Sequence, residues 1–423
     1  MTDKKIKLVT IGDHPLSPSG VGTQIRYMVE HLLRTGRYSV VSVGGAVKHN
    51  DYRPQKTEQW GDDWVIVPVD GYGSPDVIRS ILKQTKPDIL WFMTDPRFYT
   101  WLWEMEDEIR PVVPMVYYHV WDNKPFPKFN KKYYDSNDTV VTISKLTDEC
   151  VRAVSPDVNC IHLPHSVDTE VFKKLSDADV EAFRQRVFPK EKDGSPLLFF
   201  WNSRNARRKQ SGTLIWWFKE FLDRVGHYKA RLIMHTDPKD NHGQDLEAIV
   251  EELGLRDSQV MFSRDKLNST DLAQLYNLAD CTIAVSDAEG FGLSTLESLA
   301  CETPILVNMT GGLQEQVTDG ENWFGIGLEP VSKTIIGSQE VPYIYEDRLG
   351  KEQVIGALTK FYEMNKQERA AQGKAGREHV LKNYPFVRTL ERWDEILTDI
   401  HEKSGSWETR KGYNRWTLKE IAR

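Results

Sequence analysis

The chain has 423 residues, 39% of them hydrophobic and 28% charged, which is too long for one ordinary domain and apolar enough for two cores. A formal net charge of −7 argues against the global basic field that draws a protein to nucleic acid. No run of about 18 apolar residues occurs, which excludes a membrane-spanning helix.

Met1 to Lys7 lead into a strand without an apolar stretch of signal-peptide type, so no secretory leader is expected. Strands are expected over 6–12, 38–43, 64–69, 88–94, 112–119 and 139–144, with a helix beginning near Gly22. Continuous apolar runs between amphipathic helices predict a parallel sheet covered on both faces. A polar stretch over 173–195, including Lys190 to Gly194, reads as a helix and an interdomain linker. A second alternation follows, with strands over 197–201, 230–235, 259–262, 281–286 and 304–308. A helix over 367–383 must break or kink at Tyr384-Pro385, and another runs from Phe386 to about His401. The pattern is α/β, with two Rossmann-like doubly wound domains in series. The last residues, 404–423, interleave Arg410, Lys411, Arg415, Lys419 and Arg423 with Trp407, Tyr413 and Trp416. They read as an amphipathic tail docked on its own protein in preference to a contact with an anionic surface. The four cysteines, at 150, 160, 281 and 301, lack CxxC or metal-type spacing. They suit a reducing, cytoplasmic setting.

The chemistry concentrates in Glu289-Gly-Phe-Gly-Leu-Ser-Thr-Leu-Glu297. It follows a buried strand and opens a helix, the place where open α/β sheets bind ligands. Gly290 and Gly292 let backbone N–H groups approach a ligand, and a helix N-terminus attracts phosphate. The two carboxylates can accept hydrogen bonds from neutral hydroxyls, which suggests a sugar and a ribose about a diphosphate. Ser294-x-x-Glu297 is also a capping box, in which Glu297 would satisfy a backbone donor and nothing more. Upstream, Asn202-Ser-Arg204-Asn-Ala-Arg-Arg-Lys209 offers cations at another expected helix start.

Glu289-x7-Glu297, with the Glu-Gly-Phe-Gly-Leu core and the downstream Gly311-Gly312-Leu-Gln-Glu315, resembles the E-x7-E signature of retaining glycosyltransferases of the GT-B fold, family four. Arg204 and Lys209 match that family's Arg-x4-Lys pair, although Ser203 stands where a glycine is usual and Arg207 and Arg208 add charge. Gly20-Val-Gly22-Thr23 resembles its first glycine-rich loop, and is not the GxGxxG dinucleotide fingerprint. His119, at a strand end, matches a histidine beside the donor sugar, and Pro164-His-Ser-Val-Asp168 a turn before the linker. His14, His162 and His165 are given no catalytic role.

The resemblance implies an N-terminal acceptor domain over 1–190 and a nucleotide-sugar donor domain over 191–385, facing a central cleft. A C-terminal helix and tail over 386–423 would pack back on the first domain. It further implies transfer of a hexose from a UDP- or GDP-sugar to an acceptor hydroxyl on a glycan, lipid or other glycoconjugate, keeping the anomeric configuration. His119, Glu289, Arg204 and Lys209 would be catalytic. Gly20, Gly22, Gly290, Phe291, Gly292, Leu293, Ser294 and Glu297 would join Arg204, Lys209 and Glu289 in binding the donor, with the backbone near Val260–Arg264 beside its base. Thr23, Lys124 and Lys128 would meet the acceptor. The nucleotide sugar is a co-substrate and no other cofactor is expected. Asp177-Ala-Asp179 lies in a polar helix start and reads as capping, so no metal site is expected. Lys124, Lys128, Lys131 and Lys132, with Phe126 and Phe129, leave open a lipid acceptor with peripheral membrane contact, or modified DNA. A sugar-nucleotide epimerase, a phosphorylase and a non-catalytic partner protein of the same fold are the remaining alternatives.

Overall fold

The computed structural model describes residues 4–189 and 196–414. The expected linker at Lys190 to Gly194, and Arg415, Trp416, Lys419 and Arg423 of the tail, lie outside the described residues. Two compact units result: Met1–His165 with Ser338–Pro342 and Val387–Arg423, and Ser166–Gly337 with Tyr343–Phe386. Residues from Ser166 onward thus group with the second unit, where the Asn277 side chain accepts from Leu175 N and donates to Lys173 O, each at 2.8 Å.

The first unit is built on an eight-stranded sheet. Its spatial order is Gln55–Lys56, Trp64–Pro68, Tyr38–Gly45, Ile6–Asp13, Ile89–Thr94, Met115–His119, Thr139–Thr142 and Cys160–His162. All pairings are parallel except that of the short edge strand Gln55–Lys56. The central strands are buried on both faces, as in Ile89–Thr94 and Met115–His119, which explains their unbroken apolar runs. From Val387 on, helix Phe386–Ser404 belongs to this unit. Trp393 meets Trp91 and Tyr118 edge-on at 5.6 and 4.8 Å, and Asp394 accepts from the Tyr38 hydroxyl at 2.7 Å. The described part of the tail docks on the same unit. Trp407 Nε1 donates to Pro87 O at 2.8 Å, Ser406 Oγ to Asp88 at 2.7 Å, and Arg410 to Asp138 at 2.5 Å.

The second unit carries a six-stranded parallel sheet in the order Val260–Ser263, Ala230–His235, Leu197–Asn202, Cys281–Ala284, Ile305–Asn308 and Gly325–Leu328. A separate antiparallel hairpin pairs Ser332–Ile336 with Ile344–Arg348. The core between sheet and helices is aromatic, with Phe199, Phe218, Phe221 and Phe361 in edge and tilted contacts. Asp177 and Asp179 stand in the first turn of helix Asp177–Val187, whose Ser176 cap accepts from Asp179 N at 3.1 Å. Helix Lys366–Asn383 begins in an Asn365–Glu368 capping box, ends before Tyr384-Pro385, and gives way to the helix from Phe386. Among the described residues no helix is long and apolar enough to cross a membrane.

Candidate functional site

In the second sheet the strand order reverses at Leu197–Asn202. Ala230–His235 lies on one side and Cys281–Ala284 on the other. At such a switch point the loops leaving two adjacent parallel strands diverge and open a crevice at their carboxyl ends. The basic stretch 203–209 leaves one of these strands and the carboxylate loop 285–292 the other. A backbone hydrogen bond from Asp287 N to Arg208 O, 2.8 Å, ties the loops together.

Lys209 Nζ forms a close ion pair with Glu289 Oε2, both side chains being largely buried, at 13 and 15% exposure. Arg208 approaches the same oxygen at 3.7 Å and donates to Ala288 O at 2.5 Å, and Ser286 Oγ donates to Glu289 at 3.3 Å. Burial alone would push the Glu289 carboxyl up. Lys209 and Arg208 overcome it and hold the group below its ordinary value. Glu289 is therefore a carboxylate at neutral pH.

Gly292 begins helix Leu293–Ala300 at φ 92°, and no side chain caps that helix. The reading of Glu297 as a capping residue is thereby corrected: Ser294 lies inside the helix, and Glu297 accepts from the Tyr276 hydroxyl at 2.7 Å, which itself accepts from Asn202 at 2.8 Å. Burial raises the Glu297 carboxyl to about 7, the Tyr276 hydrogen bond opposing this only in part. The loop ahead of the helix is braced from behind. Gln316 Nε2 donates to Phe291 O at 2.7 Å and Gly292 O at 3.1 Å, and Gly312 N donates to Glu289 O at 3.0 Å. The uncapped amides of Leu293 and Ser294, the cations and two carboxylates thus share one end of one sheet. Such a set can hold an anion and accept hydrogen bonds from hydroxyls.

Arg204, expected beside Lys209, is placed otherwise. Its guanidinium is forked on Asp240 at 2.7 and 3.1 Å and its side chain is 60% exposed. Arg208 occupies the position near Glu289 instead. Arg207 is forked on Glu346. Strand Val260–Ser263 is the sheet's edge, and Arg264 pairs with Glu247.

In the first unit His119 is fully buried. Nδ1 is 3.0 Å from the Tyr117 hydroxyl and Nε2 2.9 Å from that of Tyr134. Burial lowers its pKa to about 3, so the ring is neutral. Both nitrogens are engaged by hydroxyl groups within the unit. Gly20 opens helix Gly20–Arg34, with Thr23 in its first turns. The Ser19 cap accepts from Gly22 N at 3.0 Å and donates to Asp13 at 2.5 Å. A Cβ on Gly22 would lie 2.6 Å from His14 O, so the tight fold of this loop demands glycine. Lys124 pairs with Glu149 at 2.6 Å, and Lys131 with Asp135 at 2.7 Å; Lys128 starts the short turn Lys128–Asn130. Two of the four lysines in that loop are thus neutralised locally.

Sequence reading missed the Asn202–Tyr276–Glu297 hydrogen-bond chain, and it treated Arg208 as surplus charge. Spacing holds no signal for the first, because a helix and a strand distant in the chain bring its members together.

Residues 183–333 match the model of the family described as glycosyl transferases group 1. The D-inositol 3-phosphate glycosyltransferase of Acidothermus cellulolyticus is 36% identical over 95 residues, 22% of this chain and 21% of that one. The GDP-mannose-dependent alpha-(1-6)-phosphatidylinositol monomannoside mannosyltransferase of Mycolicibacterium smegmatis is 27% identical over 273 residues, 63% of each chain. The matched segments thus span less than two thirds of either relative. Among solved structures, the sucrose-phosphate synthase of Thermosynechococcus elongatus superposes with a TM-score of 0.75 at 16% identity, over 95% of this chain and all of that one. The fold is GT-B.

Proposed function

We propose that this chain, whose residues 183–333 match the group 1 glycosyl transferase model, is a retaining, metal-independent hexosyltransferase. It would move a hexose from a UDP- or GDP-sugar to an acceptor hydroxyl on a glycan or lipid. The observation that carries the reading is the buried Lys209–Glu289 pair at the switch point, beside the uncapped helix start at Gly292. In this reading the donor diphosphate takes over Lys209 and meets Arg208, Arg204 and the amides of Leu293 and Ser294. Glu289 then accepts from sugar hydroxyls and Glu297 from the ribose. Neither carboxylate is a nucleophile. Catalysis rests on stabilising the departing diphosphate in a preorganised site and on orienting the acceptor, and the leaving phosphate takes the acceptor's proton on the same face. The printed name of the Mycolicibacterium relative supports including GDP-mannose among the donors tested.

The test is a panel of UDP-, GDP- and ADP-sugars with EDTA and without acceptor, followed by thermal shift and nucleotide release. One donor is expected to stabilise the protein and to be hydrolysed slowly. Glu289→Gln and Lys209→Ala should each remove most transfer while leaving the fold intact. Loss of one charge-assisted contact costs about 1.5–3 kcal/mol, roughly tenfold to 150-fold in rate. Full activity in both variants, or no stabilisation by any donor, would overturn the proposal.

A further inference from the structure

The family match ends at residue 333, yet the hairpin that begins at Ser332 reaches back to the site through its return strand, Ile344–Arg348. The outgoing strand is exposed over Ser332–Ile335. The return strand buries Glu346, at 1% exposure. A carboxylate that deep persists only when it is paired. Glu346 takes the fork of Arg207 and a third hydrogen bond from Arg348 at 2.5 Å. Arg348 also donates to Asp287 at 2.7 Å, and Asp287 accepts from Gln210 at 2.6 Å. The backbone joins in: Asp347 N donates to Asp287 O at 2.8 Å, and Asn308 Nδ2 donates to Ser286 O and Asp347 O, each at 2.9 Å. Two buried carboxylates, Glu346 and Asp287, are thus paired with two arginines that reach in from nearer the surface, a formally neutral lattice one step behind Lys209–Glu289. Arg207 and Gln210 flank Arg208 and Lys209 in the chain, and Asp287 lies two residues before Glu289.

We propose that Arg348 and Glu346 are positioning residues for the donor site. Acting through Asp287 and Arg207, they set the spacing between the basic turn 207–209 and the carboxylate loop 286–289. The cations are then already in place when a diphosphate arrives. The inference rests on the donor-site reading above. A brace of this kind supports the diphosphate subsite, and leaves the contacts to base and ribose to the other strand ends.

The experiment uses full-length Arg348→Met, Arg348→Lys and Glu346→Gln. Calorimetric titration compares the nucleoside diphosphate that the wild type binds with its parent nucleoside, and amide exchange is followed at 203–210 and 285–290 without ligand. Arg348→Met and Glu346→Gln should lose about tenfold or more in diphosphate affinity with nucleoside affinity unchanged. Arg348→Lys should recover part of the loss, and exchange should quicken in both loops. Parallel losses for nucleoside and diphosphate would mean general destabilisation and overturn the proposal, as would unchanged affinity with unchanged exchange. A wild type that binds no nucleotide would sink the donor-site reading itself. The exchange measurement would still decide separately whether the hairpin braces the two loops.

Discussion

Lys209 and Glu289 neutralise each other while no ligand is bound, so a donor must insert its own charge between them or beside them. Glu297 differs, because it accepts from the neutral Tyr276 and burial lifts it to about 7. An ionised carboxyl accepts from ribose hydroxyls more strongly than a neutral one. The raised value of Glu297 means that binding releases a proton when pH is near or below 7. Nucleotide affinity is accordingly expected to rise from pH 6 to pH 8, and calorimetry in buffers of different ionisation enthalpy should count about one proton released at pH 6. Glu297→Gln should flatten that slope. A flat profile in the wild type would mean that Glu297 does not meet the ribose. The same shift has the opposite sign for the unliganded fold. The folded state binds the extra proton between the ordinary carboxyl range and 7, so this group's contribution to stability declines as pH rises through that window. At this scale the sequence was legible where spacing carries chemistry, as at Glu289, Glu297 and Lys209. Four cations within six residues, in contrast, do not reveal which folds onto Asp240, 36 residues on from Arg204. Nor does a strand-end histidine announce that Tyr134 will close over it.

Among the elements, buried parallel strands announced themselves because both faces are covered and the apolar run is continuous. Cys160–His162 and Gly325–Leu328 escaped because they are short edge strands, and Ser332–Ile336 because it is polar and exposed. The turn into helix Leu293–Ala300 shows what the glycines are for. Gly292 combines φ 92° with a site where a Cβ would lie 2.6 Å from Leu313 Cδ2 and 2.8 Å from Thr295 Oγ1. Gly254 has a comparable φ of 66° and open space around it. Gly254→Ala is therefore expected to cost about 1 kcal/mol, for backbone strain alone. Gly292→Ala should cost about 2–4 kcal/mol, adding the displacement of Leu313, and should weaken donor binding as well. Denaturant midpoints compare the two directly, and equal costs would refute the packing explanation.

At the scale of the whole molecule, the first unit is completed by the far end of the chain. Arg410, 4% exposed, pairs with Asp138 and donates to Arg110 O at 2.8 Å. Asp138 also accepts from Arg110 Nε at 3.3 Å and Met115 N at 2.9 Å. Removing one partner of such a buried network costs about 3 kcal/mol, and Arg410→Ala should lower the first unit's melting midpoint by roughly 6–12 °C. Amide exchange should lose protection in the strands of that unit and keep it in the second. An unchanged midpoint would mean that Arg110 alone satisfies Asp138. The route of the chain also bears on biosynthesis. Apart from Ser338–Pro342, the second unit is one continuous stretch from Ser166 to Phe386, whereas the first needs Trp393, Trp407 and Arg410 to finish its surface. The half whose strands are made first is therefore the half that is completed last, and a nascent chain must keep the surfaces around Trp91, Tyr118 and Asp138 open until residues 393–410 have been made. A stop codon placed between Trp393 and Arg410 would therefore leave unfinished a unit whose strands lie some hundreds of residues earlier in the chain.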